Sequence, residues 1–429
     1  MIPIRFRRSV KLCLLSTLTA CSVRVMPAGV PTLPDSAIIR GHIEYLASDR
    51  LEGRGTGTAG NDSAAAYIAR RFRELQLIAP FPGYFQRFEA RGAQDAHLGR
   101  TTPRATQNVV GLLRGRDPIL RDQYIVVGAH FDHLGRAPES SLDPGARDAI
   151  RNGADDNASG TAAVLELARL LASHPLRRSV LFVTFSGEEL GLLGSQFFVD
   201  NPPVALDRVV AMLNFDMVGR LKDDKLFVYG TATATELVAI LDSANAAGQP
   251  QFKVTGGGDG FGSSDHSSFY AKGLPVLHFF TDLHEDYHRA TDDPDKVNAA
   301  GAARVVGLAL RTIREIGNRD SRLTFVRASA PRQVSGTRQG SDTYLGSIPD
   351  MSASSEGLRL TGVRPDSPAD KGGLKAGDVI VEFGGKAVKD LFSYSDALYS
   401  HKPGDTVKIA VLREGQRMDL TVTLGRRGQ

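Results

Sequence analysis

The sequence predicts an α/β protein: a mostly parallel, mixed sheet sandwiched by helices, followed by a smaller strand-rich domain. Three observations carry this. From about residue 106 to 317, short apolar runs alternate with segments of helical periodicity, the pattern of a sheet buried on both faces. Between Asn318 and Gly340 that pattern dissolves into a basic stretch containing Ser and Gly, which reads as a linker. Beyond it, residues 341–429 are rich in short strands. A chain of 429 residues suits two or three domains. Its 41% hydrophobic and 23% charged content is ordinary for a globular protein with a sizeable core.

Residues 1–21 read as an export signal. Arg5, Arg7, Arg8 and Lys11 precede the apolar run Leu12–Leu18, which is too short to span a bilayer. The run ends in Leu18-Thr19-Ala20-Cys21, which resembles a bacterial lipoprotein signal with Cys21 as the acylated residue; the alternative is ordinary cleavage near Ala28. The mature protein is therefore expected to be exported and to face the periplasm, touching a membrane only through a lipid anchor. Those four basic residues account for the formal net charge of +4. The sequence pI near 9.0 is accordingly weak ground for a nucleic-acid partner, and none is expected. The other cysteine, Cys13, lies inside the signal, so no intramolecular disulfide forms and stability must come from the core. Val25–Pro34 reads as a tether.

Helical periodicity marks Ile38–Ala47, Ser63–Leu77, Thr161–Ser173, Leu190–Val199, Thr235–Ala246 and Val297–Ile316. Candidate strands are Asn108–Leu113, Tyr124–Ala129, Val180–Phe185, Val209–Asn214, Lys225–Val228 and Pro275–Phe280. Sheets of this kind place their sites beyond the carboxyl ends of the strands, and there the acids and histidines gather. One strand runs into His130-Phe131-Asp132 and another ends at Ser186-Gly187-Glu188-Glu189. A third ends at Phe215-Asp216, and a fourth leads to His284-Glu285-Asp286-Tyr287-His288. Gly153-Ala154-Asp155-Asp156-Asn157-Ala158-Ser159-Gly160 precedes a helix. A single acid after a strand is usually a helix cap or a solvated turn; five such clusters on one edge are not explained that way. Zinc takes histidine nitrogens and carboxylate oxygens. Two such ions can share a bridging carboxylate and a bridging water.

These motifs resemble those of the secreted dizinc aminopeptidases, the bacterial leucine-type exopeptidases of the zinc exopeptidase fold. The resemblance covers residues 36–317. It implies two zinc ions per chain and peptide substrates with a free N-terminus. By the same resemblance His130 and Asp216 bind one ion, Glu189 and His288 bind the other, and Asp155 bridges them. Glu188 is then the general base. Asp132 holds the second ring nitrogen of His130, and Asp292 supports His288 in the same way. Asp156 falls where the family often has a strained peptide bond. The family commonly steadies the oxyanion with a tyrosine a few residues before Ser-Asp-His. Here that place holds Phe261, which has no donor, leaving His266 or Tyr287 to supply one.

His284-Glu285-Asp286-Tyr287-His288 also fits the pattern of single-zinc proteases. That pattern needs a helix, and no amphipathic helix surrounds it here. His133 and His278 read as lining, and His42, His97, His174 and His401 as surface or packing residues. In the C-terminal region, Tyr344-Leu345-Gly346 resembles the carboxylate-binding loop of PDZ domains, and Val363–Ala369 with Gly373–Ile380 resembles the bacterial PDZ core. Such a domain docks a peptide C-terminus or a protein partner as an added strand. Two other functions fit the scaffold. Related glutaminyl cyclases generally use one zinc, which His130 and Asp216 argue against. A noncatalytic receptor on a peptidase fold is expected to lack ligands or base, and this chain keeps them.

Overall fold

The computed structural model describes residues 1, 33–91, 103–136, 141, 143, 146, 148–258, 260–327, 343–349, 357–364, 366–388, 393–394, 397–398 and 400–426. Cys21, the expected acylation site, lies outside them, as do Cys13 and His97.

Helix α1 (Ser36–Leu46) starts where Asp35 accepts the backbone N–H groups of Ala37 and Ile38. Its apolar face, Ile39, Ile43 and Leu46, recurs at helical spacing and is buried. Helix α2 (Ala59–Glu74), capped by Thr58, buries Ala64, Ala65, Ile68 and Phe72. Among the described residues six more α-helices follow: α3 (Gly160–Ser173), α4 (Leu193–Asp200), α5 (Leu237–Ala246), α6 (His266–Ala271), α7 (Ala299–Asn318) and the short α8 (Pro368–Lys371).

Among the described residues the main sheet has eight strands: β1 (Phe85–Ala90), β2 (Arg104–Leu113), β3 (Tyr124–His130), β4 (Ser179–Phe185), β5 (Val209–Phe215), β6 (Lys225–Tyr229), β7 (Lys253–Gly257) and β8 (Val276–Phe280). Their order is β1-β2-β4-β3-β5-β8-β6-β7. The central run β4-β3-β5-β8 is parallel. Every residue of β3, β4 and β5 is buried, as expected of central strands covered on both faces. Alternation along β3 divides two cores. Ile125, Val127 and Ala129 pack with α1, α2, α3 and α7, whereas Tyr124 and Val126 pack with residues of α4 and α6. The strands β1 and β7, which carry no apolar run, lie at the two edges.

The C-terminal region builds a separate core from residues that include Leu345, Leu360, Ile380, Phe383, Ile409 and Val411. Its strands are β9 (Thr343–Tyr344), β10 (Ser347–Pro349), β11 (Leu358–Val363), β12 (Val379–Phe383), β13 (Lys386–Ala387), β14 (Thr406–Arg413), β15 (Gln416–Thr423) and β16 (Gly425–Arg426). One sheet runs β10-β11-β12-β14-β15 with β13 on β12, and β9 pairs with β16. Leu345 is buried, and Gly346 takes φ +85 against Ser367, where a Cβ would stand 2.3 Å from the serine Cβ. Among the described residues, no helix is long and apolar enough to cross a membrane.

Candidate metal centre

The carboxyl ends of β3, β4, β5 and β8 face a cavity of about 230 Å³. Its lining includes His130, Asp156, Glu188, Glu189, Asp216 and His288. His130 is the last residue of β3, and Asp216 follows the last residue of β5. Glu188 and Glu189 follow β4 after Gly187, whose φ of +78 turns the chain. His288 sits on the turn beyond β8. Asp156 lies in the wide helical turn Ala154–Ser159 that opens α3. That turn approaches β5 closely, since a Cβ on Gly160 would lie 2.3 Å from the carbonyl oxygen of Phe215.

Two donor groups meet at Asp156. His130 Nε2 stands 3.3 Å from Asp156 Oδ1 and 3.3 Å from Asp216 Oδ1. His288 Nε2 stands 3.0 Å from Asp156 Oδ2 and 3.2 Å from Glu189 Oε2. Around a tetrahedral ion with bonds of 2.0–2.1 Å, neighbouring donors stand roughly 3.3 Å apart. The donor types and spacings thus fit a zinc ion in each group, with Asp156 offering one oxygen to each. The electrostatics agree. Burial opposes charge on His130, yet Asp216, Glu188 and the hydrogen bonds to Asp156 and Asp216 raise its pKa well above the imidazole range. Burial likewise opposes charge on His288, but Glu189 and Asp156 push its pKa up to about 10. The acids that hold these protons would equally hold divalent cations.

The structure corrects three expectations. The carboxylate shared by the two groups is that of Asp156, not Asp155. Asp155 Oδ1 accepts from Gly219 N at 2.6 Å and Ser159 Oγ at 2.8 Å, and Oδ2 faces His284 Nε2 at 3.3 Å. The backbone turn directs the two neighbouring acids apart, and the Asp156–Asn157 peptide bond is cis. The nearest acceptor to His130 Nδ1 is the backbone oxygen of Asp132, at 3.1 Å against 3.8 Å for its carboxylate. That carboxylate instead accepts from Thr56 Oγ1 and from the backbone N–H of Glu188, and so ties the base candidate to the end of β3. Asp292 does not reach for His288. It accepts from the N–H groups of Asp155 and Asp156 and from Arg220. The segment His284–His288 is a turn, not a helix, and His284 lies against Asp155 rather than beside His288 in the donor group. Two residues outside the expected set hold the site. His133 Nδ1 lies 2.8 Å from Glu189 Oε1. Arg54, wholly buried, donates to the carbonyl oxygens of Leu46, Phe131, Asn152 and Gly153.

Glu188 is partly exposed to the cavity, with a donor atom near those of His130 and Glu189. Burial, with Glu189, Asp216 and Asp265 nearby, raises its carboxyl well above the usual range, against the pull of His130. Burial also works against charge on Glu189, but His288 and hydrogen bonds from His133 and His288 hold its pKa down to about 2. The adjacent glutamates thus differ, one favouring its protonated form and the other its anion. Tyr287 stacks on His288 with ring centres 3.9 Å apart and lines the cavity. Burial and the surrounding acids keep its phenol protonated. His266, stacked on His278 at 4.4 Å, is held neutral by burial. Phe261 also lines the cavity, packed edge-on against Tyr270.

A mixed sheet with helices on both faces is the architecture expected of the zinc exopeptidase fold. Solved structures share this fold. The zinc aminopeptidase BSAP from Bacillus subtilis aligns with a TM-score of 0.54 at 18% identity, over 68% of this chain and 98% of that one. A Zn-dependent exopeptidase from Parabacteroides distasonis aligns with a TM-score of 0.56 at 19% identity, over 68% of this chain and all of that one. Residues 108–313 match peptidase family M28, and residues 338–424 match the PDZ domain family. The chain is thus similar to peptidase family M28 over residues 108–313 and to PDZ domains over its C-terminal region. Among curated relatives, the aminopeptidase YwaD of Bacillus subtilis is 31% identical over 42% of this chain and 36% of its own length. Leupeptin-inactivating enzyme 1 of Streptomyces exfoliatus is 29% identical over 59% of this chain and 51% of its own. The chain thus spans about a third to a half of the length of these relatives.

Proposed function

We propose that the protein is a two-zinc aminopeptidase that hydrolyses the N-terminal peptide bond of peptides. The observation that carries this is the division of Asp156 between two histidine–carboxylate pairs. In this reading His130 and Asp216 hold one ion, Glu189 and His288 hold the other, and Asp156 serves both. When bound, two zinc ions supply an acidified water and a polarised carbonyl. Glu188 takes the proton of the attacking water and returns it to the leaving amine. Tyr287, protonated and beside His288, is the better placed donor for the developing oxyanion, with His266 as the other candidate. The names of the relatives, aminopeptidase and leupeptin-inactivating enzyme, agree with this chemistry.

Export through residues 1–21, acylation at Cys21 and a periplasmic site of action belong to the same proposal. So does peptide or partner docking at Tyr344, Leu345 and Gly346 of the PDZ domain. The test is metal content together with turnover of a panel of aminoacyl chromogenic substrates. Glu188→Gln should lower kcat by about 10²–10⁴-fold while ions stay bound, whereas Glu285→Gln should keep most of it. The reverse pattern, or bound metal with no turnover in the wild type, would overturn the reading.

A further inference from the structure

His133 belongs to neither donor pair, yet its ring is enclosed beside the second one. Its side chain is buried, and the edge of its ring meets the ring of His288, with centres 5.6 Å apart and planes at 74°. On another side it abuts the backbone at Gly153, where a Cβ would come within 2.5 Å of His133 Cγ and Cδ2. Its Nδ1 lies 2.8 Å from Glu189 Oε1, while Glu189 Oε2 faces His288 Nε2 at 3.2 Å. Glu189 therefore turns one oxygen to the second donor pair and the other to His133. The distances separate two roles for the imidazole. Neighbouring ligands of one zinc ion stand roughly 3.3 Å apart, but His133 Nδ1 is 2.8 Å from Glu189 Oε1 and 3.8 Å from Asp156 Oδ2. The first distance is that of a hydrogen bond. His288 Nε2, at 3.0 Å from Asp156 Oδ2 and 3.2 Å from Glu189 Oε2, meets both carboxylates more evenly than His133, although His133, Asp156 and Glu189 also lie close enough to share an ion. An ionised carboxylate only accepts, so the proton sits on Nδ1.

We infer that His133 is a positioning residue: its Nδ1–H donates to Glu189 Oε1, fixes that carboxylate with Oε2 towards His288, and thereby sets the affinity of the second ion alone. The inference rests on the two-ion reading above. Removal of a hydrogen-bond partner behind a metal ligand commonly weakens metal binding about 10–100-fold. The experiment is zinc titration of the metal-stripped full chain by calorimetry against a competing chelator, for wild type, His133→Phe, His133→Met and His133→Asn. Phe and Met remove the donor in two shapes, so that a failure of one to fit leaves the other. Asn can donate from about the place of Nδ1 but is a poor zinc ligand.

Two sites are expected in the wild type. The second should be about 10–100-fold weaker in Phe and Met, with the first unchanged and most of the affinity restored in Asn. Unchanged affinities in Phe and Met overturn the inference. So does an equal loss at both sites, or an Asn variant as weak as Phe, which would make His133 a ligand or a packing element. A wild type that takes up one ion or none overturns the functional reading, and this inference with it.

Discussion

Arg54 should be worth more to the folded state than any surface ion pair, because its guanidinium is enclosed with four backbone oxygens. Nη1 donates to Leu46 O at 2.5 Å and Asn152 O at 2.7 Å, Nε to Phe131 O at 2.7 Å, and Nη2 to Gly153 O at 2.9 Å. Those oxygens belong to the end of α1, to the residue after His130, and to the segment leading into Asp156. Arg54→Met keeps an apolar stem and removes every donor. Each buried oxygen left without a partner costs about 1–3 kcal/mol, or roughly 4–12 kcal/mol for the set. The variant also escapes the burial of a cation, whose cost is visible in a pKa lowered from 12.5 to about 10, about 3 kcal/mol. Water entering the space relieves part of the remainder. The expected loss is about 3–5 kcal/mol, as for other broken buried charge networks. Urea unfolding followed by circular dichroism should show a lower midpoint with the slope unchanged. Arg54→Lys should recover only part, since an ammonium cannot reproduce the planar fork. A loss below about 1 kcal/mol in Arg54→Met would mean that the four carbonyl groups do not depend on the guanidinium.

Two further predictions concern neighbouring acids and an imidazole far from the cavity. Asp155→Asn should keep its ions after dialysis against zinc-free buffer and lose about 1–3 kcal/mol of stability, because Asp155 serves Gly219 and Ser159; Asp156→Asn should lose zinc, and the opposite pair of results would restore Asp155 as the shared ligand. His42, hydrogen-bonded to Tyr67, has its pKa lowered to about 4 by burial and by Arg71 and Arg169. The unfolded imidazole titrates near 6.5, so between those values the unfolded state binds more protons and stability falls as pH drops. Comparing unfolding midpoints at pH 7 and pH 4.5, His42→Gln should lose less than the wild type, by up to about 3 kcal/mol. Equal losses would remove His42 from the account.

The central strands were legible because burial on both faces makes them continuously apolar, as in β3, β4 and β5. The edges were not. β1 alternates buried and exposed residues over six positions, and β7 is Lys253–Gly257 with two glycines. Helix α6, six residues long, is too short for a periodic signal. Of the candidate ligands, His130, Glu189, Asp216 and His288 were readable because strand ends announce themselves. The choice between Asp155 and Asp156 was not, because chemically identical neighbours are separated only by backbone torsions. Gly153 takes φ +55, and Asp156 takes φ −106 and ψ 92. His133 carried a faint signal in its place three residues after His130, but nothing in that spacing points it at Glu189. Arg54 gave none, since its partners are carbonyl groups that every residue possesses.

The most direct test of the account is anomalous diffraction at the zinc edge from crystals of the full chain grown with zinc. Two peaks about 3.5–4 Å apart, one between His130 and Asp216 and the other between Glu189 and His288, with Asp156 between them, are predicted. A single peak, or peaks ligated by Asp155 or His284, would contradict it.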